Sequence, residues 1–184
     1  MVEIGRRVVV YGHSCSGKTT LAKRIAEKVD VPYVELDAIF WKPDWAETPV
    51  DEFRTTVSAL LKEHADGWVF DGNYHSRIRD LVLPEADTAV LLRLPFRIVF
   101  WQALVRTISR AWTKEPLWVN NCESWRQSFF STDSLLLFII MNWRRHIRET
   151  RQMLGEISHN ARVVELHSRK EIAAFIVSLS GADN

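Results

Sequence analysis

The sequence predicts an α/β fold of three layers: a five-stranded parallel sheet with helices over both faces. Three observations carry it. Five short apolar runs recur along the chain: RRVVVY (6–11), YVEL (33–36), WVFDG (68–72), TAVLLRL (88–94) and RVVEL (162–166). They read as near-continuous rather than alternating, as strands covered on both faces do. Between them, apolar residues return at helical spacing. Strands alternating with helices imply right-handed crossovers and a parallel sheet.

The elements follow in order. After the first strand and a glycine-rich loop, Leu21, Ile25 and Val29 mark one face of a helix that Pro32 ends. The second strand is YVEL. Thr48 and Pro49 read as N-cap and first residue of the next helix. Phe53, Val57, Leu60 and Leu61 form its apolar stripe, and Gly67 sits at its stop. WVFDG ends the third strand in Asp-Gly, and Pro95 closes the fourth. A helix over residues 96–112 carries Ile98, Trp101, Val105, Ile108 and Trp112 on one side, with Arg106 and Arg110 facing away from Ile108. Residues 113–133 show no clean period and read as an irregular, lid-like insertion. A helix over 134–154 and the fifth strand follow. Ser168 and Glu171 form a capping box, and Ile172, Phe175, Ile176 and Leu179 give the last helix its apolar face.

At 184 residues the chain suits one domain, residues 1–184, with one core. Apolar content of 47% against 26% charged is the balance of a soluble globular protein. A net charge of +1 gives no overall basic field, so nucleic acid is not an expected partner. The charge is uneven, however: residues 97–151 hold nine Lys or Arg and four Asp or Glu, which suggests a local anion site. Cys15 and Cys122 are scattered and read as free thiols of a reducing compartment, the cytoplasm. The N-terminus has no secretory apolar segment. The longest apolar run, LLLFIIM from Leu135, is too short to span a membrane. That run reads as core, or else as a dimer face, leaving a monomer or a homodimer. The six His show no zinc spacing.

The residues that carry chemistry gather at the carboxyl ends of strands, where parallel sheets bind ligands. Gly12-x-x-x-x-Gly17-Lys18-Thr19 matches the phosphate-binding P-loop. In that pattern the amides of Ser14, Cys15, Ser16 and Thr20, with both glycines, belong to a wrap around phosphate at a helix N-terminus. Lys18 reaches the β- and γ-phosphates of ATP, and Thr19 offers its hydroxyl to Mg²⁺. Asp71, ending the third strand, suits the same Mg²⁺; as a bare Asp-Gly it would be only a turn. Arg106, Arg110 and Arg126 are candidates to stabilise a phosphoryl group in transfer. Among Arg144, Arg145, Arg148 and Arg151 one or two are expected to serve the site, with Arg144 among the acceptor contacts, while Arg145 and Glu149 also make a routine helix pair. Asp37, following the second strand, would repel a phosphate-bearing acceptor but would orient or deprotonate a hydroxyl; its plainer reading is a cap or turn residue. Trp41, Asn73, Tyr74 and Arg77 complete the candidate acceptor side, although aromatic residues mainly bury area.

These motifs resemble the adenylate-kinase-like P-loop kinases along nearly the whole chain, through GHSCSGKTTLA, VFDGNY, ADTAVLLRLP and the Arg106/Arg110 pair. The order LD-x-x-x-W, W-V-x-D-G-N-Y, A-D-T and R-T-x-x-R is similar to a bacterial branch commonly called adenylate kinases or DNA-topology modulation proteins. The resemblance implies the P-loop NTPase fold with strand order 2-3-1-4-5 and a helical lid. It also implies an ATP- and Mg²⁺-dependent kinase with Asp71 by the metal and Arg106, Arg110, Arg126 on the phosphates. One departure concerns the acceptor. Adenylate kinases follow the third-strand Asp-Gly with Phe-Pro-Arg, whose Arg grips the acceptor's phosphate; here the residues are Asn73, Tyr74, His75, Ser76 and Arg77. The acceptor therefore stands between a nucleoside monophosphate, which the overall resemblance favours and to which the reading leans, and a small hydroxyl compound, the alternative that Asp37 favours. An ATP-binding regulator of DNA topology is the rival outside the enzyme class, opposed by the neutral net charge and the lack of a DNA-reading motif.

Overall fold

The computed structural model describes residues 4–113, 135–157 and 161–179. Five strands, β1 (Arg7–Gly12), β2 (Tyr33–Glu35), β3 (Trp68–Asp71), β4 (Thr88–Leu92) and β5 (Arg162–Leu166), pair in parallel in the order β2-β3-β1-β4-β5. Helices α1 (Lys18–Val29), α2 (Leu36–Phe40), α3 (Val50–Glu63), α4 (His75–Val82), α5 (Phe96–Thr113), α6 (Leu135–Ile157) and α7 (Arg169–Leu179) surround it. Fold class and strand order are those expected from the sequence.

Side-chain alternation divides the core in two. Val8, Val10, Val69, Val90 and Leu92 pack with Leu21 and Ile25 of α1 and Phe175 and Leu179 of α7. Val9, Tyr11, Phe70 and Leu91 pack on the other face with Phe53 and Val57 of α3 and Ile78 and Val82 of α4. Each strand is thus apolar on both sides, which is why none of the five shows clean alternation. The capping box forms. The Glu171 N–H donates to Ser168 Oγ (3.1 Å), and Glu171 Oε2 accepts from the N–H of His167 (2.8 Å), one residue before the expected reciprocal partner.

Four expectations change. Leu36 leaves the second strand and opens α2, so Asp37 sits in the first turn of a short helix rather than at a strand end. The N-cap of α3 is Pro49, not Thr48, whose hydroxyl instead donates to the carbonyl of Ile39 (3.0 Å). Helix α4 was not anticipated. The fourth concerns α5, whose buried residues, among those described, are Val99, Ala103 and Thr107, with the side chain of Trp112 outside the description. The stripe read as its apolar side is largely outward, with Trp101 62%, Val105 51% and Ile108 44% exposed. The helix buries small and β-branched residues because α6 and the glycine-rich loop approach closely there: Leu94, Val99, Ala103 and Ile139 form one cluster, with Cys15 and Trp143 against it. Among the described residues, no helix is long and apolar enough to cross a membrane.

Candidate active site

The glycine-rich loop joins β1 to α1 with two backbone positions that require glycine. Gly17 has φ 92, a left-handed conformation, and is the N-cap of α1 with no side-chain cap. A Cβ on Gly12 would meet Leu92 Cβ and Ser16 Oγ at 2.8 Å. The helix N-terminus is therefore uncapped by side chains and open to an anion. Inside the loop the N–H of Ser16 donates to the His13 carbonyl (3.1 Å), and Lys18 Nζ reaches the same carbonyl (3.4 Å). Ser16 Oγ is buried without a hydrogen-bond partner.

Asp71 lies at the centre. It is 3% exposed, and its register explains why. Val69 and Asp71 point to the α1 side of the sheet, where Thr19 stands in the first turn of α1. The Thr19 hydroxyl donates to Asp71 Oδ2 (2.6 Å), and the Tyr33 hydroxyl stands at 3.4 Å from the same oxygen. Asp71 Oδ1 is buried with no partner. Burial pushes the Asp71 carboxyl above its ordinary value, Lys18 and Thr19 oppose that shift, and the charge of Asp37 adds to it. Burial also raises the Tyr33 phenol, with Asp71 reinforcing, so it stays a donor. An orphaned carboxylate oxygen beside a threonine hydroxyl fits a magnesium ion carried by phosphates. Among the described residues there is no group of three His, Cys, Asp or Glu to cage a metal without them.

On the other side of the crevice, Asp37 Oδ1 accepts from the Tyr74 hydroxyl at 2.6 Å. Tyr74 itself packs on Phe40 and Phe53. The two residues expected to bind the acceptor through charge or amide are engaged elsewhere. Arg77 pairs with Glu47 (3.0 Å) and lies over the Phe40 ring (4.5 Å). The Asn73 carboxamide makes both of its bonds to the backbone of Gly12. Trp41 packs edge-on against Phe40 and Trp45, as the packing reading of the aromatics anticipated.

The arginines divide. Arg106 stands on the inward side of α5, and its Nε is buried without a hydrogen-bond partner. Arg110 is described in backbone only, and Arg126, with the lid-like insertion from residue 114, lies outside the described residues. Arg144 is exposed on α6, and Arg145 pairs with Glu149 (2.7 Å) on its exposed face. Cys15 holds a left-handed backbone (φ 62) and a free thiol.

Three residues gain a place that the sequence reading did not assign. Tyr33 opens β2 on the Asp71 side, which period-two alternation from Asp71 through the β2–β3 register would have found. His13, 4% exposed, stacks on Trp143 of α6 (5.1 Å), and burial, helped by Lys18, holds its imidazole below its usual value. In the amide orientation that satisfies both neighbours, Gln102 of α5 donates to the Cys15 carbonyl (3.2 Å) and accepts from Arg169 (3.3 Å). No local signal marks His13 or Gln102.

No protein-family model matches the chain, and no curated protein does. Solved structures do. A shikimate kinase from Bacteroides thetaiotaomicron is 18% identical, over 94% of this chain and 95% of that one, with a TM-score of 0.51. A gluconokinase from Sinorhizobium meliloti 1021 is 18% identical, over 97% and 95%, with a TM-score of 0.52. The chain has the P-loop kinase fold. At this identity the likeness is one of architecture, spanning nearly all of each chain. Neither neighbour bears the DNA-topology name, and nothing in these comparisons supports that reading.

Proposed function

We propose that this protein transfers the γ-phosphoryl group of ATP to a hydroxyl of a small molecule. The observation that carries the choice of acceptor is Asp37. Its carboxylate is held by Tyr74 at 2.6 Å, and its charge is felt by Asp71 beside the phosphate loop. A carboxylate there disfavours a second phosphate and suits an O–H. Arg77, the candidate cation on that side, is paired with Glu47. The neighbours' names, shikimate kinase and gluconokinase, support a small acceptor as well.

In this reading the loop amides and Lys18 hold the β- and γ-phosphates. Mg²⁺, held by Thr19 and Asp71, would neutralise phosphate charge. Asp37 orients the acceptor hydroxyl and takes its proton as the oxygen bonds to the γ-phosphorus. The bond from that phosphorus to the β–γ bridging oxygen breaks, and ADP departs. Such transfers need positioning and charge stabilisation more than covalent help from the protein. Arg106, with Arg110, Arg126 and Arg144, would supply the remaining positive charge. A nucleoside monophosphate acceptor is the second reading, favoured by the adenylate-kinase-like motifs of the sequence.

An ADP-release screen of the purified protein over AMP and a panel of small alcohols separates the two. We expect stimulation by a hydroxyl compound, and its loss in Lys18→Ala. Asp37→Asn should lower turnover about 10²–10⁴-fold, the usual contribution of a positioned base. Phosphorylation of AMP that survives Asp37→Asn would overturn the hydroxyl reading.

A further inference from the structure

Asn73 was expected at the acceptor, and its amide is instead spent on the donor loop. The β1–β3 ladder runs from Arg7↔Trp68 to Val10↔Asp71 and stops there, because β3 turns away at Gly72. Gly12, two residues past the last pair, would face the end of β3 with its peptide groups unpaired. Asn73 closes that gap. Its Oδ1 accepts from the Gly12 N–H (3.3 Å), and its Nδ2 donates to the Gly12 carbonyl (2.7 Å).

A carboxamide is the side-chain equivalent of a peptide group, with one acceptor and N–H donors in one plane. Here it stands in for the next rung of the ladder. The rung matters because Gly12 is the first glycine of the phosphate loop. The direction of its peptide groups sets the path of residues 13–17, and thus where their amides point. The next residue, Tyr74, holds Asp37. Two consecutive side chains therefore tie the donor loop and the acceptor carboxylate to one turn.

We propose that Asn73 is a positioning residue of the donor site, which fixes the phosphate loop by extending the β1–β3 ladder with its side chain. This inference rests on the reading of the loop as a nucleotide site. It touches no substrate in this role and acts through Gly12.

The test is calorimetric titration of ADP into the unmodified protein, Asn73→Ala and Asn73→Asp, with thermal midpoints measured on the nucleotide-free proteins. Asn73→Ala removes both bonds and should weaken ADP binding about tenfold or more, since it strands two backbone groups. Asn73→Asp keeps the acceptor but sets a carboxylate against the Gly12 carbonyl, and should weaken binding at least as much. Asn73→Ser, which can satisfy only one of the two groups, should fall between, and it supplies the comparison if the alanine variant does not fold. A purely structural role would lower the midpoint and leave the ADP affinity within twofold well below it, and that result overturns the proposal. If the unmodified protein does not bind ADP, the nucleotide-site reading fails first, and this one with it.

Discussion

Asp71 combines a cost and a use. Its carboxylate is buried, with one oxygen on Thr19 and the other unpaired. Burial raises its pKa, so the folded protein holds the Asp71 proton more tightly than the unfolded chain does. Folding is then penalised increasingly as pH rises from the ordinary carboxylate range through the folded value. Below that range the penalty is absent. Asp71→Asn removes the charge and keeps an oxygen that can accept from Thr19. The variant should therefore melt higher than the parent at neutral pH, with the gain vanishing as pH falls below the ordinary carboxylate range, while Mg²⁺-dependent turnover is lost. A lower melting temperature at neutral pH would show that the buried charge is already compensated. At this scale much was legible. The glycine-rich loop follows β1 and Asp71 ends β3, as their positions implied, whereas Asp37 stands in the first turn of α2 and not at a strand end. The partners of Asn73 and Arg77 were not legible, because Gly12 and Glu47 reach them from 61 and 30 residues away.

Helix α5 shows the limit of periodicity. Its sequence holds two apolar stripes, one of large residues and one of small. The large stripe has the stronger signal, yet Val99, Ala103 and Thr107 are the buried ones. Close approach of α6 and the glycine-rich loop selects small side chains, and no count of hydrophobicity along one helix contains that neighbour. The consequence is measurable by denaturant unfolding. Ala103→Leu should cost about 1–3 kcal/mol through overpacking. Trp101→Ala, at an exposed position, should change stability by no more than about 0.5 kcal/mol. The reverse order would mean that the face is assigned wrongly. The short helices α2 and α4 escaped the sequence for a related reason. Five and eight residues are too few to establish a period, and packing on the sheet stabilises them.

For the molecule as a whole, the proposed function links nucleotide binding to folding. A ligand that binds only the folded state at a hundredfold excess over its Kd adds about 2.7 kcal/mol. For a chain of this length each kcal/mol is worth about 2–4 °C in the melting temperature. ATP with Mg²⁺ should therefore raise the melting temperature by several degrees, and Lys18→Ala should abolish the rise. Equal shifts in both proteins would argue that the nucleotide binds elsewhere.

The strands themselves, the glycine-rich loop and the basic second half of the chain follow from features of near neighbours: glycines at fixed spacing, β-branched runs, charges along a helix; the strand order came only from the resemblance. Such features act through local backbone geometry, and a linear chain states them directly. The burial of α5, the pairing of Arg77 with Glu47 and the anchoring of Gly12 by Asn73 depend on segments far apart in sequence that meet only in the folded sheet. Those contacts are settled by packing and by the need to satisfy buried polar groups. For that reason the glycine-rich loop and the helix after it could be read from residues 12–20, whereas the arrangement facing them emerged only in three dimensions.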